Sequence, residues 1–105
     1  MANLICQEYT GSLSEKGASQ VQPDGTYYYS STSGRHKAYL QGPSNADFDL
    51  YLYKWSGTGW EKKDSSTYSL SNEEIEFTDN TEGYYLWWVY SYDGSGEYSL
   101  CMTSP

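Results

Sequence analysis

Residues 46–55 read ADFDLYLYKW, with Phe48, Leu50 and Leu52 at alternate positions and Asp47, Asp49, Tyr51, Tyr53 and Trp55 between them. Period two is the geometry of a β-strand, whose successive side chains point to opposite faces. The same rhythm recurs. It predicts strands over residues 5–12, 27–32, 36–41, 47–55, 60–66, 73–78, 84–92 and 97–103. Turn chemistry separates them: PDG at 23–25, GPSN at 42–45, SGTG at 56–59, DNTEG at 79–83 and DGSG at 93–96. No window sustains apolar residues at i, i+3, i+4 and i+7 over three turns, and residues 14–20, SEKGASQ, would make one helical turn at most. Eight short strands without a βαβ rhythm predict an all-β fold, an antiparallel sandwich of two sheets.

Parity then assigns faces. Phe48, Leu50 and Leu52 belong inside, with Ala38 and Leu40, Ile75 and Phe77, and the face made by Tyr98, Leu100 and Met102. Lys37, Tyr39, Gln41, Glu74 and Glu76 belong outside. Residues 84–92 are apolar on both faces. Trp87 and Val89 are placed in the core, which leaves Leu86, Trp88, Tyr90 and Tyr92 on the outside.

Composition adds two facts. Aromatic residues make up 18% of the 105 residues, and 13 of them are Tyr, which can lie half-exposed because it pairs apolar area with a hydroxyl. A chain this rich in rings is not disordered, and its length fits one domain over 1–105 with one core, burying roughly 65% of its unfolded surface. The six basic and 14 acidic residues leave a net charge of −8. Nucleic acid and anionic membrane are therefore poor partners, since both need a basic surface. No apolar run approaches the ~20 residues of a membrane span. Met1-Ala2 reads as a translation start before a domain cut from a longer parent, so the missing leader says nothing of where that parent resides.

The two cysteines, Cys6 and Cys101, lie near opposite ends. A bond between them would be worth roughly 4–5 kcal/mol in the chain-entropy model and would fit an extracellular domain. The alternative is two buried thiols that never meet. Two distant sulfurs are too few for a metal site, and the disulfide is the favoured reading. It would make neighbours of the first and last strands.

GTYYYSSTSGRHKAYLQGPSNADFDLYLYKWSGTGW at 25–60, SNEEIEF at 71–77 and GYYLWWVYSYDGSGEYSL at 83–100 together carry a family likeness. The chain resembles the bacterial pre-peptidase C-terminal domain, in the versions appended to secreted trypsin-like serine proteases. The FDLYLYKW strand with its GxGW hairpin is the most specific part. The resemblance implies a secreted β-sandwich of jelly-roll type attached to a hydrolase. Some relatives bind calcium, and some bind insoluble polymers. Two departures stand out. Trp88 occupies a position where the family commonly has Arg, and the strand after the hairpin reads EKKD at 61–64 where Val and Ala are usual.

Catalytic chemistry finds little support. His36 is flanked by Arg35 and Lys37, no GxSxG elbow exists, and the histidine reads as a strand residue at a sheet surface. No catalytic residue is assigned and the chain is read as a non-enzyme. A glycosidase pair would need a cleft, which short loops do not supply. Asp47 and Asp49 share a strand face, with Cβ atoms about 7 Å apart, so both could reach one cation. Calcium needs six or more oxygens, and Asn72, Glu73 and Asp79 are further candidates by residue type alone. No cofactor is otherwise expected. The competing reading places Asp49 in a solvated cross-strand pair.

The aromatic surface is the remaining signal. Tyr51, Tyr53 and Trp55 project from one strand, and Leu86, Trp88 and Tyr90 from the longest. On neighbouring strands they would form one platform. Such a platform serves cross-strand pairing, protein contact or stacking of sugar rings. The expectation is a non-catalytic extracellular module of a secreted protease that docks a polysaccharide or protein surface. The alternative is a structural secretion or stability domain, or an engineered scaffold, whose aromatic face drives homodimerisation.

Overall fold

The computed structural model describes residues 6–105, and nine strands make up the fold. They are β1 (Gln7–Leu13), β2 (Ser19–Gln22), β3 (Tyr28–Ser30), β4 (Gly34–Gln41), β5 (Asp47–Trp55), β6 (Trp60–Ser66), β7 (Glu73–Asp79), β8 (Gly83–Asp93) and β9 (Gly96–Thr103). All pairings are antiparallel. One sheet runs β1-β9-β4-β7; the other runs β2-β8-β5-β6, with β3 also on β8. No helix occurs among the described residues. The two-sheet antiparallel sandwich is thus as expected, with one strand more.

The additional strand is β2. Its sequence, SQVQ, holds a single apolar residue, so no period could announce it. It forms because β8 offers a free edge, pairing Val21 with Trp88 and Gln22 with Trp87. Ser19 and Gln20, read from sequence as the end of a helical turn, belong to it. The turn that follows is as read: Asp24 and Gly25 take φ of +52° and +80° after Pro23. Residue 5, the expected start of the first strand, lies outside the described residues.

The core is built by the residues that alternation selected. Phe48, Leu50, Leu52, Trp87 and Val89 are fully buried, joined by Ala38, Leu40, Ile75, Tyr98, Leu100 and Met102. Each large side chain so buried contributes roughly 1.5–3 kcal/mol. Phe77 is only partly buried and packs against this cluster. Beside it the two sheets are pinned by charge. Lys54 at the end of β5 donates to Asp79 at the end of β7 over 3.0 Å, both nearly buried, and the Tyr85 hydroxyl donates to the same carboxylate. Burial alone would raise the Asp79 pKa, but the Tyr85, Lys54 and Thr81 donors outweigh it and hold the carboxyl well below its usual range.

Cys6 and Cys101 form the disulfide, their Cα atoms 5.5 Å apart, and β1 pairs with β9 along its whole length. The first and last strands are neighbours, and the bond closes the chain across 95 residues.

Candidate functional site

Two register shifts shape the surface. Between β5 and β6 the pairing steps from Leu52 with Asp64 to Tyr53 with Lys62, which leaves Lys63 as an extra residue on β6. Residues 60, 62, 64 and 66 have one parity and would share a face in a regular strand. The bulge splits them. Asp64 and Ser66 pair with the core residues Leu52 and Leu50, whereas Lys62 and Trp60 pair with Tyr53 and Trp55 on the outside. Between β5 and β8 the step from Asp47 with Asp93 to Phe48 with Ser91 leaves Tyr92 as an extra, exposed residue.

The outer face of the five-stranded sheet therefore carries two aromatic groups. In the first, Tyr51 pairs with Trp88 across the strands, ring centroids 5.1 Å apart, and Trp88 stacks on Tyr90 at 5.1 Å. Tyr53 closes the group at 6.2 Å from Trp88. The Lys62 ammonium lies over the Tyr51 ring, 5.6 Å from its centroid. Leu86 pairs with Tyr53 beside them. These side chains are half-buried by one another. Burial, and secondarily the charge of Asp49, raises the Tyr51 pKa.

Trp55 belongs to the second group. It packs edge-on against Trp60 at 5.3 Å; Trp60 meets Tyr27 at 5.9 Å, and Tyr27 meets Tyr84 at 5.4 Å. These four rings line a pocket of about 310 Å³. Alternation did not identify Tyr27, Trp60 or Tyr84 as site residues. The GxGW hairpin was legible, but the bulge that turns Trp60 outward was not.

At the far end of β5 stands a carboxylate cluster. β6 stops at Ser66, opposite Leu50, so Asp47 and Asp49 lie beyond its reach. The connection to β7 crosses here, tied down by the Ser71 hydroxyl, which donates to the Ala46 carbonyl and accepts from the Phe48 amide. Glu73 then opens β7. One oxygen each of Asp47, Asp49 and Glu73 fall within 4.8 Å of one another. Asp49 is 4% exposed and Glu73 1%, which corrects the expectation of a solvated Asp49. Burial first, then Asp47 and Glu73, pushes the Asp49 carboxyl up to about 7. Burial likewise raises Glu73, although its Oε1 accepts from Ser66 and from the Tyr68 amide. Asp47 Oδ1, Asp49 Oδ1 and Glu73 Oε2 are buried without a hydrogen-bond partner. The all-oxygen donor set and these three orphaned atoms fit a hard divalent cation such as calcium. Of the residues suggested by type, Glu73 joins Asp47 and Asp49. Asp79 is committed to Lys54, and Asn72 is exposed.

His36 is not at a surface. It is fully buried, its ring 4.0 Å from that of Tyr85. Its Nδ1 lies 2.7 Å from the Tyr28 hydroxyl, within hydrogen-bond distance, and burial drives the Tyr28 pKa far up. Burial lowers the His36 pKa. Parity with Ala38 and Leu40 would have placed it inside. Buried and neutral, it serves the packing of the core.

No protein-family model matches the chain. Among solved structures, the chain is similar to a mitogen derived from Yersinia pseudotuberculosis, at TM-score 0.74 and 22% identity over 96% of this chain and 86% of that one. It is similar to the pre-peptidase C-terminal domain of a Bacillus anthracis collagenase, at TM-score 0.74 and 18% identity over 94% and 90%. It is also similar to PliG of Aeromonas hydrophila, a periplasmic inhibitor of g-type lysozyme, at TM-score 0.67 and 12% identity over 98% and 89%. The chain thus has the β-sandwich fold that the pre-peptidase C-terminal domain shares with this mitogen and this inhibitor.

Proposed function

We propose that this chain is a non-catalytic extracellular accessory module of a secreted protease, and that it docks a polysaccharide or protein surface through Tyr51, Tyr53, Trp55, Leu86, Trp88 and Tyr90. One observation carries the reading. The outer face of the five-stranded sheet presents aromatic side chains on β3, β8, β5 and β6, whereas β4 and β7 of the other sheet turn out a single ring, Tyr39, among Arg35, Lys37, Gln41, Glu74 and Glu76. Rings held by cross-strand neighbours lose little entropy on binding, and Tyr and Trp are enriched where proteins make their strongest contacts. The disulfide suits an oxidising, extracellular setting. The solved structures of like fold include a protease accessory domain and a protein inhibitor, which agree with a module that binds through its surface.

The test is retention on suspended chitin, cellulose and collagen. Wild type is retained on one of them, and Trp88→Ala loses about 1–3 kcal/mol of binding, the cost of a central ring. Absence of retention on all three, together with a concentration-dependent dimer in sedimentation, overturns the reading in favour of self-association through the same face.

A second reading concerns the corner rather than the face. The three orphaned carboxylate oxygens favour a structural calcium ion held by Asp47, Asp49 and Glu73, with water completing the shell. Such an ion would tie β5 of one sheet to β7 of the other.

A further inference from the structure

The pocket of Tyr27, Trp55, Trp60 and Tyr84 differs from the neighbouring platform in shape. Successive rings meet at 43°, 88° and 65°, so they form walls rather than a plane. Its volume, about 310 Å³, is at the small end of ligand pockets, which run from about 300 to 1,000 Å³. One side chain fits; a polymer chain does not. Two Trp faces attract a cation more strongly than other rings do.

Charge decides what that side chain is. Each lysine of this sheet is already engaged: Lys54 with Asp79, Lys63 with Glu61, and Lys62 over the Tyr51 ring. Lys62 shows within the molecule that rings on this face accept an ammonium group. Among the described residues, no cation lies over the four pocket rings. Glu82 stands one ring away: it accepts from the Tyr29 hydroxyl over 2.9 Å, and the Tyr29 ring packs 4.9 Å from Tyr84. The net charge of −8 adds a general attraction for cations.

We infer that Tyr27, Trp55, Trp60 and Tyr84 form a cage for the cationic side chain of a basic protein segment, an ammonium or guanidinium group seated between the two Trp rings. The cage rests on the docking reading in taking this sheet face as the contact surface, but it shares only Trp55 with the docking residues and adds Tyr27, Trp60 and Tyr84.

The experiment is a Trp-fluorescence titration of the 105-residue chain with a capped Gly-Ser peptide carrying one Lys, against the same peptide carrying norleucine. A saturable change with the Lys peptide is expected, with the norleucine peptide and Trp60→Ala each at least about tenfold weaker. Trp88→Ala retains the Lys response, and Glu82→Gln weakens it. Equal response to the norleucine peptide, an unchanged response in Trp60→Ala, or a response to a neutral cello-oligosaccharide in place of the Lys peptide overturns the cage. Tyr27→Ala provides a second variant on another strand, should Trp60→Ala melt early. Peptide binding without retention on any polymer leaves the cage standing while the polymer reading fails, and retention without peptide binding does the reverse.

Discussion

Asp49 stands one residue from Phe48 and from Leu50 and, like them, is buried, yet nothing in its immediate sequence marks it so. The burial comes from the 67–72 connection, which crosses beside β5 where β6 has ended, and from Glu73 arriving on the other sheet. Three carboxylates so placed repel one another, and a divalent cation removes the repulsion. Calcium at about 100 times its dissociation constant should therefore stabilise the wild type by about 2.7 kcal/mol, raising Tm by about 10 °C or more. Asp49→Asn should show a much smaller shift and should melt no lower than wild type in chelator. Equal Tm for wild type in calcium and in chelator would exclude the ion. At this scale the core was legible and the corner half so. Phe48, Leu50 and Leu52 follow from period two alone, because a side chain on the inner face has nowhere else to go, whereas Trp87 lies in a strand apolar on both faces. The spacing of Asp47 and Asp49 marked two members of the carboxylate cluster, but their meeting with Glu73 depends on a crossing that no local pattern encodes. His36 differs from its reading at a sheet surface for another reason: its neighbours Arg35 and Lys37 suggest a wet strand, whereas its parity with Ala38 puts it inside.

The strands show which elements announce themselves. β5 and β8 are long and strongly patterned, and their bounds in the sequence and in the structure agree to within a residue. β2 was invisible because its pairing with β8, and not its own composition, makes it a strand. β6 was located correctly and its faces could not be read, because the extra residue Lys63 reverses parity midway. Without the bulge, one half of β6 must present the wrong face: either Trp60 and Lys62 turn toward the core or Asp64 and Ser66 turn away from it. Deletion of Lys63 should accordingly abolish the Trp55–Trp60 contact, read as loss of the exciton couplet of the Trp pair in circular dichroism, and should lower Tm. Lys63→Ala keeps the residue count and should keep the couplet. A deletion variant with unchanged couplet and Tm would show that the bulge does not set this face.

Across the whole molecule the two sheets divide the work. The four-stranded sheet pairs the first strand, β1, with the last, β9, and the Cys6–Cys101 bond joins the residue before β1 to β9. The five-stranded sheet has been freed to carry rings on its outer face, since its inner face and the Lys54–Asp79 clamp already hold the layers together. The four Trp residues supply their own control: Trp87 is buried, while Trp55, Trp60 and Trp88 lie on the outer face. Transferred cross-saturation from the retaining polymer to the indole N–H protons reads all four at once. The docking account predicts saturation at Trp55 and Trp88 and none at Trp87. Saturation confined to amides of β1, β4, β7 and β9, with the indoles of Trp55 and Trp88 untouched, would contradict it.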